Sequence, residues 1–455
     1  MTQTPLTPDA LRAAVRDVMP SVRADLEALV RIPSVSADPA RADDVRRSAE
    51  ATAELFRAEG FDDVRILSAA GGAPAVVARK PAPEGAPTVL LYAHHDVQPV
   101  GDPADWDSEP FEPTERGERL YGRGAADDKA GVLAHVAALR AFGDDLPVGV
   151  VVFVEGEEEY GSDSLNDIIA AHSDELRSDV IVIADSGNWD IGRPALTTSL
   201  RGLVNLFVEV KVLKSAVHSG MFGGPIPDAL MVLSRLLTSL HDDSGEVAVD
   251  GLVGREGASV DYPEDRYRHE GGVLDGVQLI GHGTITDRIW TKPSISILGV
   301  DAPRTLEAAN ALQPTAKAKI SVRLAPGDDP KSAYAAVRAH LEEHVPWGAQ
   351  VVVTLESDGQ PCVIDATGPA YEAARAAFTS AWDGAKPVDM GVGGSIPFIA
   401  TFQELFPKAS ILVTGVEDPY SGAHGPDESL HLGEFERACL AEALLLKNVA
   451  EALTT

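Results

Sequence analysis

The stretch that decides the fold is TVLLYAHHDVQP, residues 88–99. It opens as a continuous apolar run of strand length, and a strand apolar on both faces belongs inside a sheet covered by helices on each side. It closes on His94, His95 and Asp96 instead of plain turn residues. Two further runs share the pattern, VGVVVFV (148–154) and DVIVIA (179–184), while KAGVLAHVAALRAF (129–142) and SLNDIIAAHSDEL (164–176) carry helical periodicity between them. Strands alternating with helices in this way predict an α/β domain around a mostly parallel sheet.

From about residue 200 the character changes. GLVNLFVEVKV (202–212), SISILGV (294–300), AKAKISVRL (316–324) and AQVVVTLES (349–357) read as alternating strands suited to a sheet with one exposed face, with helices expected at 228–241 and 330–344. A polar stretch at 254–293 shows little periodicity and reads as an elaborate loop. After residue 365 the first style returns, with a helix in YEAARAAFTSAW (371–382), a strand in ASILVTG (409–415) and a closing helix in LGEFERACLAEALLLKNVAEAL (432–453). The expected organisation is an α/β domain built from 1–199 and 366–455, interrupted by an inserted α+β domain at 200–365.

Composition limits what such a chain can do. With 455 residues, two domains are the natural expectation. The formal charge of -32, without a basic stripe, argues against nucleic acid or an anionic membrane as partner. The two cysteines, Cys362 in an expected loop and Cys439 in an expected helix, make neither a disulfide framework nor a thiolate metal site. The N-terminal stretch reads as an amphipathic helix entered near Thr7 and Pro8, not as a secretion signal, and no run of apolar residues is long enough to span a bilayer. The expected location is cytoplasmic.

The chemistry gathers at strand ends. His94 and Asp96 stand two apart in an extended segment and project to one side, as suits a metal-ligating imidazole oriented by a carboxylate. YGRGAADDKAG (121–131) sets Asp127 and Asp128 at a glycine-flanked turn before a helix, and EGEEEYGS (155–162) sets Glu155, Glu157, Glu158 and Glu159 directly after a buried strand. Carboxylates crowded like this repel one another unless cations lie among them. Asp185 ends the next strand and His424 lies in the loop after the last. Open α/β sheets build sites at the carboxyl ends of their strands, and two histidines with three carboxylates, one able to bridge, fit a pair of divalent cations such as zinc.

The order HHDVQP, GRGAADDKAG, EGEEEYGS, ADSGNW, VHSGMFGG, GGSIP and GAHGPDE resembles the dinuclear zinc metallopeptidase family that includes carnosine dipeptidase, cytosolic nonspecific dipeptidase, acetylornithine deacetylase and succinyl-diaminopimelate desuccinylase, and HHDVQP with ADDK leans to the dipeptidase branch. The resemblance implies that His94 and Asp185 ligate one zinc, Glu159 and His424 the other, and that Asp127 bridges them. It makes Glu158 the general base acting on a water between the metals, gives Asp96 the orienting of His94, and implies a cis peptide bond after Asp127. Manganese or cobalt are possible substitutes for zinc. It gives the inserted domain the roles of lid and homodimer interface, with His218 reaching the partner's site to stabilise the oxyanion. Asn310, Arg323, Gly394 and Ser395 become candidates for holding the substrate's terminal carboxylate. Tyr160 and Ala311 depart from the dipeptidase pattern at positions that border substrate. The implied activity is dipeptide hydrolysis. An N-acyl or N-succinyl amino acid deacylase would use the same metals, and an inactive metal-binding homologue would have lost Glu158 or Asp127, both present here.

Overall fold

The computed structural model describes residues 7–69, 71–394 and 397–454. Contacts divide the chain into two compact units, one running up to Thr198 and resuming over Ile364–Met390 and from Thr401, the other Ser199–Val363 with Gly391–Ala400. The segment 391–400, placed by sequence with the last part of the catalytic domain, groups with the second unit.

In the first unit the strands lie in the order Asp63–Leu67, Ala75–Lys80, Gly149–Glu155, Thr88–His94, Val180–Ile183, Ser410–Val413, Ala195–Leu200. The middle four pair in parallel, and they are the four apolar runs read as buried strands. The margins pair antiparallel, so the sheet is mixed. Its first margin has a local cause: residues 68–74 are too few for the crossover of a dozen or more that parallel neighbours need. Helices cover the sheet as its two-faced apolarity requires. Lys129–Phe142 is buried at every position except Arg140 and Ala141, consistent with an all-round apolar sequence. Pro8–Val30 begins as expected, with Thr7 accepting a hydrogen bond from the Ala10 amide and Pro8 in the first turn.

The second unit is a four-stranded antiparallel sheet in the order Ser294–Asp301, Thr315–Leu324, Gly202–Lys211, Gln350–Gly359. Alternation along Gly202–Lys211 puts Val204, Leu206, Val208 and Val210 on one face, where they meet Leu233 and Leu236 of the helix Ala229–Thr238 and Val337 and Leu341 of the helix Pro330–His344. The polar stretch at 254–293 is less irregular than its composition suggests, since it holds the helix Glu264–Glu270 and a helical turn at Asp287–Thr291. Cys362, expected in a loop, opens the short strand Cys362–Val363 and is buried.

Candidate active site

Each of the four parallel strands delivers a site residue at its carboxyl end. His94 is the last residue of its strand, Glu158 and Glu159 follow Gly149–Glu155, Asp185 follows Val180–Ile183, and His424 lies in the loop after Ser410–Val413. Asp127 sits in the turn that feeds the helix Lys129–Phe142, and its peptide bond to Asp128 is cis. His95 turns the other way: its Nε2 lies 2.8 Å from the Pro74 carbonyl oxygen, and burial lowers its pKa to about 4, so it is a neutral packing residue. The four glutamates also separate by role. Glu155 accepts a hydrogen bond from the Tyr92 hydroxyl, Glu157 accepts from the Ala73 and Ser164 amides, and Glu158 and Glu159 turn toward the site on the single turn Glu158–Tyr160. Gly156 makes this divergence possible, because a Cβ there would lie 2.3 Å from the Pro74 carbonyl oxygen.

Asp127 is the hub. Its Oδ1 lies 3.0 Å from His94 Nε2 and its Oδ2 3.0 Å from His424 Nε2. Beyond each imidazole stands a further carboxylate, Asp185 Oδ1 at 3.9 Å from His94 Nε2 and Glu159 Oε2 at 3.2 Å from His424 Nε2. Donor atoms of His94, Asp127 and Glu159 lie within 4.8 Å of one another, as do those of His94, Asp128 and Asp185. The residues therefore fit divalent-cation coordination, with Asp127 placed between the two imidazoles.

Electrostatics point the same way. Burial alone raises Asp127, but hydrogen bonds with His424 and His94 hold it well below the ordinary carboxylate range. The same bonds with Asp127 and Glu159 raise His424 to about 11, and burial beside Asp127 and Glu159 raises Asp185 to about 7. So many acids with so little positive charge among them form a cluster that favours added cations.

Around these residues lies support of which the sequence singled out only Asp96. His94 Nδ1 lies 3.2 Å from the Asp96 carbonyl oxygen and 3.5 Å from Asp96 Oδ1, which makes it the protonated nitrogen and leaves Nε2 for a cation. Asp96 is itself fixed by the Ser36 hydroxyl at 2.6 Å and by the amides of Glu158 and Glu159. Gln98 donates its backbone N–H and its side-chain amide to Glu159. Glu428 accepts from the amides of Gly124, Ala126 and Asp127 and pairs with buried Arg123 at 2.7 Å. Glu417 adds another carboxyl pushed up by burial and by Asp127 and Asp185. Asp96 and Gln98 fall inside HHDVQP, Arg123 inside GRGAADDKAG and Glu428 inside GAHGPDE, but no spacing marks Gln98, Arg123 or Glu428 there, and Ser36 and Glu417 lie outside every quoted motif.

The remaining candidates belong to the second unit. His218 is exposed on a two-residue ribbon, Val217–His218 paired with Ala311–Leu312, where His218 faces Ala311 and the Asn310 carbonyl accepts from the Ser219 amide. Arg323 is half-buried on Thr315–Leu324, opposite Leu203 and Ser294, and forms no ion pair among the described residues. Gly394 is half-buried, and Ser395 lies outside the described residues.

The sequence profile of peptidase family M20/M25/M40 matches residues 90–448. The cysteinylglycine-S-conjugate dipeptidase of Corynebacterium striatum is 38% identical over 369 residues, covering 79% of this chain and 81% of that protein. Among solved structures, the dipeptidase Dug1p of Saccharomyces cerevisiae superposes with a TM-score of 0.83 at 25% identity over 98% of this chain and 99% of that one. Human carnosine dipeptidase 1 gives 0.80 at 27% identity over 98% of this chain and 100% of that one.

Proposed function

The chain belongs to peptidase family M20/M25/M40, and from that membership we propose that it is a metallo-dipeptidase cleaving unblocked dipeptides at a pair of divalent cations, zinc by preference. His94 and Asp185 would hold one cation, Glu159 and His424 the other, and Asp127 both, with manganese or cobalt as substitutes. When bound, such a pair supplies Lewis acidity that lowers the pKa of water and offsets charge on the scissile carbonyl oxygen. The chain supplies the rest. The Glu158 carboxylate takes the proton of the attacking water and returns it to the leaving amine. Asp96 keeps the proton on His94 Nδ1 and holds the Glu158–Glu159 turn in place through its two amides.

On this reading the second unit binds substrate and builds a homodimer. His218 acts in the partner subunit's site on the developing oxyanion, and Arg323 receives the peptide's terminal carboxylate with Asn310, Gly394 and Ser395. The working location is the cytoplasm. Among the described residues no helix is long and apolar enough to cross a membrane.

The observation that carries the reading is Asp127, with one carboxylate oxygen 3.0 Å from each of two imidazoles. The deciding experiment is a hydrolysis screen of zinc- and manganese-loaded protein on free dipeptides, tripeptides, and N-acetyl and N-succinyl amino acids, with a chelated control. Metal-dependent cleavage confined to unblocked dipeptides is the expected result. Preference for acylated substrates would move the chain to deacylase chemistry and leave the metal ligands standing.

A further inference from the structure

The second unit contains a cavity of about 340 Å³, the size of a small-ligand pocket. Its wall carries Arg201, Arg288, Lys292 and His241 against a single acid, Glu246. Lys292 is matched, by Glu246 at 3.0 Å and Glu256 at 3.3 Å. Arg288 spends its donors on the carbonyls of Gly283 and Ile280, which satisfies geometry without neutralising charge.

Arg201 is the unusual member. It is only 9% exposed, yet its two contacts are neutral: Nη1 donates to the Arg288 carbonyl at 3.4 Å and to Ser294 Oγ at 3.1 Å. Nε is buried with no partner, and among the described residues no carboxylate reaches the guanidinium. Arg323 aggravates this. It pairs with Leu203, two residues along from Arg201 on the same sheet face, and it too lacks an ion pair among the described residues. Burial, then the Arg323 charge, lowers Arg201 to about 10. A buried guanidinium without an anion is expensive to keep, and its presence in a chain of net charge -32 runs against the overall balance. Val247, Ile280, Ile285 and Ile289 give the wall an apolar side.

We propose that this cavity binds a small aliphatic carboxylic acid, its carboxylate on Arg201 and its apolar body against the isoleucines. The acid is either a free effector or the carboxyl-terminal end of the peptide substrate, which would then bind Arg201 in place of Arg323; only the second case rests on the dipeptidase reading.

The test is calorimetric titration of the full-length, metal-loaded protein with 4-methylpentanoate and with 4-methylpentanamide, for the wild type and for Arg201→Gln, Arg201→Lys and Ser296→Glu. The wild type is expected to prefer the acid, Arg201→Gln to bind it about tenfold or more weakly, and Arg201→Lys to recover part of the loss. Ser296 is exposed at the cavity rim, so Ser296→Glu should weaken acid binding without disturbing the fold, and it decides the matter if Arg201→Gln does not fold. Equal binding of acid and amide, or acid binding unchanged in both Arg201→Gln and Ser296→Glu, overturns the proposal. Turnover separates the two sources. If the acid is the substrate's terminus, Arg201→Gln narrows the gap in kcat/KM between a dipeptide and its amide; if it is an effector, that gap persists and the free acid changes wild-type turnover at saturating dipeptide. A wild type inert toward every dipeptide would refute the dipeptidase reading while the calorimetry still judged the cavity.

Discussion

The Glu158 carboxylate makes no hydrogen bond among the described residues, whereas that of its neighbour Glu159 is held by Gln98. Burial, then the charge of Asp185, raises the Glu158 pKa well above the ordinary range, in keeping with the proposed role of accepting a proton and giving it back. Glu158→Gln keeps size and removes the proposed base. It should lower kcat by about 10²- to 10⁴-fold while leaving metal content by elemental analysis and melting temperature near wild type. Unchanged turnover would remove Glu158 from the mechanism. A second residue-scale prediction concerns fold stability. Buried His135 places Nδ1 2.6 Å from Glu442 and Nε2 2.9 Å from the Tyr92 carbonyl oxygen. Burial opposes its charge, but Glu442 outweighs burial and the pKa is raised. A raised histidine stabilises fully below its unfolded value of 6.5 and loses that contribution as pH climbs through the folded value. Denaturant titrations of wild type and His135→Gln should therefore differ more at pH 6 than at pH 9, and a gap that grows with pH would contradict the imidazolium–carboxylate pair. At this scale the gathering of His94, Asp127, Glu159, Asp185 and His424 was legible because each lies in a motif, four of them at or after the end of a core strand and Asp127 at a glycine-flanked turn before a helix. Ser36, Gln98 and Glu428 were not, since an ordinary serine, glutamine or glutamate gains its role only when the chain brings a distant partner to it.

The elements follow the same division. The buried strands and the helix Lys129–Phe142 were readable because apolar runs and helical periodicity are local signals. The antiparallel margins were not, because pairing direction depends on connection length and on which neighbour a strand meets. Nor was the helix Glu264–Glu270, whose seven residues are too few to declare a period and which starts after Pro263 without a side-chain cap. The turn 122–128 shows how an element can be held from far away. It presents the amides of Gly124, Ala126 and Asp127 to one buried carboxylate, Glu428, which also neutralises Arg123. Glu428→Ala would strand a buried guanidinium and leave those amides without their acceptor. The expected loss is about 3–5 kcal/mol of stability by denaturant unfolding, with weaker metal retention after dialysis because Asp127 rides on that turn. A variant as stable as wild type would show that the turn holds its own shape.

For the whole molecule, the cluster runs from His94 to His424, so the first unit must close around segments from both ends of the sequence before His424 joins the donors gathered within 94–185. His218 sits outside that set, exposed on its ribbon in the second unit, with Nδ1 occupied by the Gly220 amide at 3.0 Å. That bond takes up one ring nitrogen and leaves Nε2 to donate elsewhere, as an oxyanion ligand requires. If the chain is a homodimer in which this donor serves the partner's site, Glu158→Gln and His218→Ala homodimers should both be nearly inactive, but mixing them should restore turnover. In a mixed dimer the subunit carrying His218→Ala keeps its own Glu158 and receives His218 from its partner, while the other site lacks both. Random exchange of equal amounts should then recover about a quarter of wild-type activity, because half the dimers are mixed and each carries one complete site. Subunit exchange verified by differently tagged chains, with no recovery of turnover, would place His218 in its own subunit's site or outside the chemistry altogether.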